Sequence, residues 1–330
     1  MKCGVSYFGS RMPDDVAEDM KAIRDNGCNF VVHTFAEEDM EFYPGTMEKI
    51  VKASKKEKLE VWMDPWGVGQ TWGGESYSNF IAKNVDTMQV NAEGNLVPAA
   101  CLNHPKYRKF MLEWADKAIE IGADNIFWDE PHFYIYPEDE GCKGWACRCK
   151  ICQDLFKKRF KKDMPVVMDA DIKVFKEDCL VDFLKSLCDY AKKKNMINSM
   201  CYLPFENTST FSDWSKVAKI ASLDIIGTDP YWRKGQNTEQ IKERVGGQAK
   251  RIAKLAKDYN KEGQIWILNF NIAKGTEGDI ELAINTAYEA GIRNIAAWSY
   301  YGTYQMSHLA SDDPAKVWQT LGNMYKRLTK

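Results

Sequence analysis

The chain has 330 residues, 45% of them hydrophobic, and a formal net charge of −2. That length suits one large barrel or two ordinary domains, and the hydrophobic share supports a sizeable core. The near-neutral balance argues against a nucleic-acid partner, since the Lys-rich runs (Lys55-Lys56, Lys157-Lys158, Lys192-Lys193-Lys194) read as solvated helix faces, and no apolar stretch reaches the length of a membrane span.

From Met1 the chain enters a strand at once, without a signal-like or transit-like segment, so a cytoplasmic protein is expected. In chain order, strand-like segments fall at 4–7, 30–33, 59–63, 125–128, 199–203, 223–227, 265–269 and 294–298. Helix-like segments lie between them. The first starts near Met12-Pro13-Asp14-Asp15 and ends at Gly27; others cover 104–121, 171–194, 238–259 and 279–290, and a last one about 314–328. The strands are short, apolar and β-branched, as expected when both faces are buried. Eight alternating units predict a closed (β/α)8 barrel rather than an open sheet, and no dinucleotide-type glycine fingerprint follows the first strand. No linker is evident, so residues 1–330 are read as a single domain with long insertions at about 65–102 and 131–164. The oligomeric state is not legible.

In such a barrel the residues just past each strand converge on one face, where the chemistry of this fold sits. The first strand brings Tyr7 and Arg11, the second His33 and Glu37-Glu38-Asp39, the third Asp64-Pro65-Trp66 and a glycine-rich run to Glu75. The fourth brings Asp129, Glu130 and His132; the fifth Glu206 and Asn207; the sixth Asp229-Pro230-Tyr231-Trp232. The seventh brings Asn269 and Asn271, and the eighth Trp298, Tyr300, Tyr301 and, further on, His308. Aromatic faces stack on the apolar side of sugar rings, carboxylates and amides pair with hydroxyls, and paired carboxylates are the usual equipment of glycoside hydrolysis. The segment Phe127-Trp128-Asp129-Glu130-Pro131-His132-Phe133 is the sharpest signal. Burial among its aromatics should raise a carboxyl pKa, making Glu130 the candidate general acid. Adjacent strand residues point to opposite faces, so Asp129 and Glu130 share a site only if the strand has ended. The second carboxylate could be Asp229, Glu206 or Asp64; Asp229 ranks first because a proline and aromatics follow it as they follow Glu130. The glycine-rich loop lacks a phosphate-binding pattern and reads as a cover over the mouth.

The chain has ten cysteines and four histidines. Six cysteines are scattered and read as small buried apolar residues, Cys101 among them. Cys142, Cys147, Cys149 and Cys152 cluster in one loop at about 141–153 and are the expected ligands of a structural zinc ion. No organic cofactor is expected. The four histidines all fall near the strand-end face, so a metal-dependent sugar isomerase, epimerase or lyase using His33, Asp64, Glu130 and His132 is the alternative reading, although no HxH or HExxH spacing supports it. A non-catalytic carbohydrate-binding barrel is a third.

Three segments carry a resemblance: Asp64-Pro65-Trp66-Gly67-Val68-Gly69; Val97-Pro98-Ala99-Ala100-Cys101-Leu102-Asn103-His104-Pro105; and Phe127 to Phe133 followed by Cys147-Arg148-Cys149-Lys150-Ile151-Cys152. Together they resemble a group of bacterial glycosidase-like (β/α)8-barrel proteins over roughly residues 61–160. Trp128-Asp129-Glu130-Pro131 also resembles the Asn-Glu-Pro segment of the large retaining glycosidase clan, which implies an acid/base role for Glu130. This chain has Asp129 where that clan has Asn, and Asn269 and Asn271 where its strand-seven nucleophile belongs. The segment is similar as well to the adjacent Asp-Glu pair of substrate-assisted hexosaminidases, which implies that Asp129 orients a substrate acetamido group. The expectation is therefore an enzyme acting on a small sugar or glycoside. Glu130, Asp129 and Asp229 would be the acting groups. Tyr7, Arg11, His33, Asp64, Trp66, His132, Glu206, Tyr231, Trp232, Asn269, Trp298 and Tyr300 would bind the substrate.

Overall fold

The structure is a computed structural model, and it describes residues 1–136, 144–205 and 209–329. The first third runs β1 (Lys2–Tyr7), α1 (Pro13–Asp25), β2 (Phe30–Thr34), α2 (Glu37–Phe42), α3 (Pro44–Lys56) and β3 (Glu60–Asp64). The insertion after β3 holds α4 (Asn79–Lys83) and a hairpin of β4 (Met88–Val90) and β5 (Leu96–Ala100). Then come α5 (Pro105–Glu120), β6 (Asn125–Asp129), α6 (Lys150–Phe160), α7 (Ala170–Lys193), β7 (Ile197–Tyr202), α8 (Trp214–Ala218) and β8 (Ile225–Thr228). The chain finishes with α9 (Thr238–Tyr259), β9 (Glu262–Leu268), α10 (Gly278–Glu289), β10 (Asn294–Trp298) and α11 (Pro314–Thr329).

Eight strands close into a barrel in the order β1-β10-β9-β8-β7-β6-β3-β2, every neighbouring pair parallel. This is the (β/α)8 architecture expected from the alternation, with strand ends shifted by only a few residues. The hairpin and the short helices α2, α4 and α8 lie where the sequence pattern indicated loops. Among the described residues no helix is long and apolar enough to cross a membrane.

Two apolar layers hold the barrel. Its interior is packed by Phe30, Val32, Trp62, Phe127, Cys201, Ile225, Trp266 and Ala296. Phe30 stacks on Trp62 at 4.3 Å, and Gly4 leaves the space for the Phe30 ring, which any Cβ there would strike. The outer layer lies between strands and helices. There α1 buries Val16, Met20 and Ile23, and α9 buries Ile241, Val245, Ala249, Ile252 and Ala256, stripes of helical period. An Asn237–Gln240 capping box starts α9. His104 accepts the Lys106 N–H at the start of α5, so this histidine caps a helix.

Strand alternation decides what reaches the mouth. Two residues beyond the inward Trp62 stands Asp64, and two beyond the inward Phe127 stands Asp129. Tyr7 and His33 fall in the opposite phase and face the helices. Replacing the fully buried Trp62 by alanine should cost about 3–5 kcal/mol, read as a lowered denaturation midpoint; a change within the surface range of about 0.5 kcal/mol would contradict an interior packed by that ring.

Candidate active site at the barrel mouth

The strand β6 ends at Asp129, and Glu130 turns the chain into the left-handed region with φ of 45°. That conformation costs a side-chain-bearing residue about 1–2 kcal/mol, so the surroundings must hold it. They do so from three sides. The Glu130 N–H donates to the Cys201 carbonyl at 3.2 Å, and the Gly73 N–H donates to the Asp129 carbonyl at 3.1 Å. The His132 N–H donates to the Thr71 carbonyl at 3.0 Å. Burial lowers the His132 pKa, so its neutral ring can donate from Nδ1 to the Glu130 carbonyl at 2.6 Å. Pro131 ends the ladder, having no N–H to give. The turn brings the adjacent carboxyls of Asp129 and Glu130 to one cavity.

That cavity is open to solvent and has a volume of about 160 Å³. Asp129, Glu130, Asp229 and Glu75 supply its carboxyls; Trp66, Trp266, Trp298, Phe127, Tyr231 and Phe270 supply its walls, with Gly74, Cys201 and Leu309 between them. No cationic side chain lines it among the described residues. Trp66 and Trp298 lie nearly parallel with centroids 4.9 Å apart, and Phe8 stacks against both, at 5.5 and 5.1 Å. The glycine-rich loop closes one side, as expected of a cover. A Cβ on Gly73 would collide with the Asp129 carboxyl, and one on Gly74, whose φ is 115°, with the Trp66 ring. Glu37 anchors the loop's far end, accepting the Gly69 N–H at 2.9 Å, the Ser78 hydroxyl at 2.7 Å and the Phe80 N–H at 2.5 Å.

Crowding buried carboxyls drives them towards their neutral forms. Glu130 is pushed well above the usual range by burial, then by the charge of Asp229 and a hydrogen bond to it. Asp229 is pushed up to about 8, mainly by burial, while the hydrogen bond from Glu130 acts the other way. Both carboxyls are thus displaced towards their neutral forms, each by burial first. Asp129 is raised by burial, then by Glu130 and Glu75. Asp64, wholly buried beneath them with neither oxygen hydrogen-bonded, is raised by burial, then by Asp129, Glu130 and Glu75.

Several residues expected at the mouth stand elsewhere. Tyr7 faces α1, its hydroxyl donating to Asp19 at 2.6 Å, and Tyr300 donates to the same carboxylate at 2.8 Å. Arg11 grips Asp39 through two hydrogen bonds of 2.7 and 2.9 Å. His33 meets Ser54 of α3 at 2.8 Å, and burial pushes its pKa down to about 3. Trp232 turns into the outer core while its neighbour Tyr231 lines the cavity. The Asn269 Nδ2 donates to the Ser299 carbonyl at 2.8 Å and is outside the lining. His33, Asp64, Glu130 and His132 are not gathered as metal ligands. Glu206 lies outside the described residues. Glu75 lines the cavity from the end of the glycine-rich run, as its place past the third strand implies, whereas Trp266 and Phe270 line it with only the inward phase of Trp266 in β9 as a sequence signal.

The cysteine cluster also differs from the expected set. Cys101, Cys147, Cys149 and Cys152 bring their sulfurs within 4.8 Å of one another, a group that could hold a metal ion. Cys142, expected as a ligand, lies outside the described residues, and Cys101, read as a scattered thiol, takes the fourth place.

A carboxyl whose folded pKa exceeds its unfolded value holds a proton that unfolding releases. Its stabilisation is complete at low pH and is lost as pH rises through the folded pKa. For Asp229 this window runs from 3.8 to about 8. Thermal midpoints should fall as pH is raised through it, and Asp229→Asn should flatten the fall. A midpoint that climbs across the same window would contradict the protonated cluster.

No protein-family model and no curated protein sequence matches the chain. Solved structures do match in fold. An endo-1,4-β-mannanase from Rhizomucor miehei aligns with a TM-score of 0.66 at 9% identity, covering 99% of this chain and 94% of its own. A GH5_18 protein from Streptomyces cattleya, solved in complex with GlcNAc, gives 0.63 at 10% identity, covering 100% and 80%. An exo-β-1,4-mannosidase from Opitutaceae bacterium strain TAV5 gives 0.64 at 11% identity, covering 99% and 59%. At these identities the likeness is one of fold: the chain is a (β/α)8 barrel of the kind these proteins share.

Proposed function

We propose that the protein is a glycoside hydrolase acting on a terminal ring of a small glycoside, with Glu130 as general acid and base. The observation that carries this reading is a buried carboxyl at the end of the fourth barrel strand, its pKa raised by burial and by Asp229, facing a cavity with stacked tryptophan walls. In the reaction Glu130 gives its proton to the glycosidic oxygen as the C1–O bond breaks. A water then completes C1 while its proton returns to Glu130.

We assign Asp229 a place beside Glu130 rather than across the bond. Paired glycosidase carboxyls stand about 5–5.5 Å apart in retaining enzymes and about 6.5–9.5 Å in inverting ones, whereas Asp229 is hydrogen-bonded to Glu130. Its part is to set the proton on Glu130. With Asn269 in place of a strand-seven carboxylate, Asp129 is the remaining candidate to orient an acetamido group of the substrate. The GlcNAc held by the Streptomyces cattleya neighbour supports a ring of that class.

Against a panel of nitrophenyl glycosides the wild-type chain should turn over at least one. Glu130→Gln should lower its kcat by about 10²–10⁴-fold with the thermal midpoint unchanged or raised, and should lose less on a dinitrophenyl glycoside, whose leaving group needs no proton. A fully active Glu130→Gln protein would sink the reading, and a wild type that binds sugars without turnover would leave a carbohydrate-binding barrel instead.

A further inference from the structure

We propose that Cys101, Cys147, Cys149 and Cys152 bind one Zn²⁺ as a closed tetrathiolate site that fastens the two long insertions of the barrel to each other. Cys101 Sγ lies 3.6 Å from both Cys149 Sγ and Cys152 Sγ. Four thiolates at the usual Zn–S bond of about 2.3 Å occupy tetrahedron corners about 3.8 Å apart. Two of the six sulfur spacings thus stand close to that value, all lie within 4.8 Å, and none of the four is in a disulfide.

The surroundings answer a charge that neutral thiols would not carry. Zn²⁺ with four thiolates is a dianion. Lys176 of α7 is 1% exposed, and its Nζ has no hydrogen-bond partner. Its Nζ rests 4.9 Å from the Phe133 ring centroid and 5.8 Å from that of Trp145, near enough to Cys147 and Cys152 for negative charge on them to favour its charged form against the cost of its burial. A buried ammonium with no counter-charge is strongly unfavourable, and the metal site would supply one. Asn103 Nδ2 donates to Cys152 Sγ at 3.3 Å, and the Cys149 N–H donates to Cys147 Sγ at 3.5 Å. Hydrogen bonds of this kind orient metal-bound thiolates.

The ion would join distant stretches of chain. Cys101 closes the hairpin insertion after β3, and the other three lead into α6 after β6. Through Lys176 and Phe133 the site backs the segment that follows Glu130. The proposal stands whatever the cavity turns over, because its test reads metal rather than turnover.

The full chain, purified without added metal or chelator, should carry about one zinc per molecule by elemental analysis, released by a mercurial in step with thiol modification. Cys142→Ser should keep that zinc, and Cys101→Ser should lose it. Zinc lost from Cys142→Ser, zinc retained by Cys101→Ser, iron in place of zinc, or a chain that stays metal-free after refolding with Zn²⁺ would each overturn the proposal. Should Cys101→Ser not fold, cobalt exchanged into the wild-type chain reads the ligands directly: thiolate-to-cobalt charge-transfer absorption is expected, and its absence would overturn the tetrathiolate site.

Discussion

Two consecutive carboxyls can serve one cavity only if the chain turns between them, and the left-handed backbone of Glu130 is that turn. An extended strand would have sent one inward and the other among the helices. The rest of the mouth is organised around keeping this conformation. The Cys201 carbonyl receives Glu130 from β7, the Gly73 N–H reaches Asp129 from the glycine-rich loop, and His132 folds back onto the Glu130 carbonyl. Strained backbone held from several sides is common where a protein positions reacting groups.

The turn concentrates acid. Asp64, Asp129, Glu130 and Asp229 are all displaced towards protonation, burial being the leading cause at each. The arrangement costs stability as pH rises, and it pushes the Glu130 pKa well above the usual carboxylate range, the direction a general acid needs. Glycine is required beside it: Gly73 is the one residue type whose backbone can lie against both carboxyls.

The barrel was legible because eight apolar segments alternate with amphipathic helices, a pattern that survives errors of a few residues at each end. The acid pair was legible too, from its aromatic setting and the proline that stops the strand. Side-chain direction was not. In β2 every residue from Phe30 to Thr34 is buried, so hydrophobicity cannot say which alternate positions face the interior. His33 was assigned to the mouth although its phase sends it to Ser54. Tyr231 and Trp232 posed the same problem past β8, where one lines the cavity and the other enters the outer core. Cys101 was missed for another reason: closeness along the chain favoured Cys142, while the hairpin of β4 and β5 returns Cys101 to the other three sulfurs.

The central claim is that Glu130 is held protonated by burial and by its contact with Asp229. A ¹³C NMR titration of the Glu130 side-chain carboxyl tests it without reference to any substrate. The account predicts a carboxyl still protonated at neutral pH, with a midpoint that drops when Asp229 is replaced by Asn. A midpoint near the ordinary glutamate value of about 4.3, unmoved by that replacement, would contradict it.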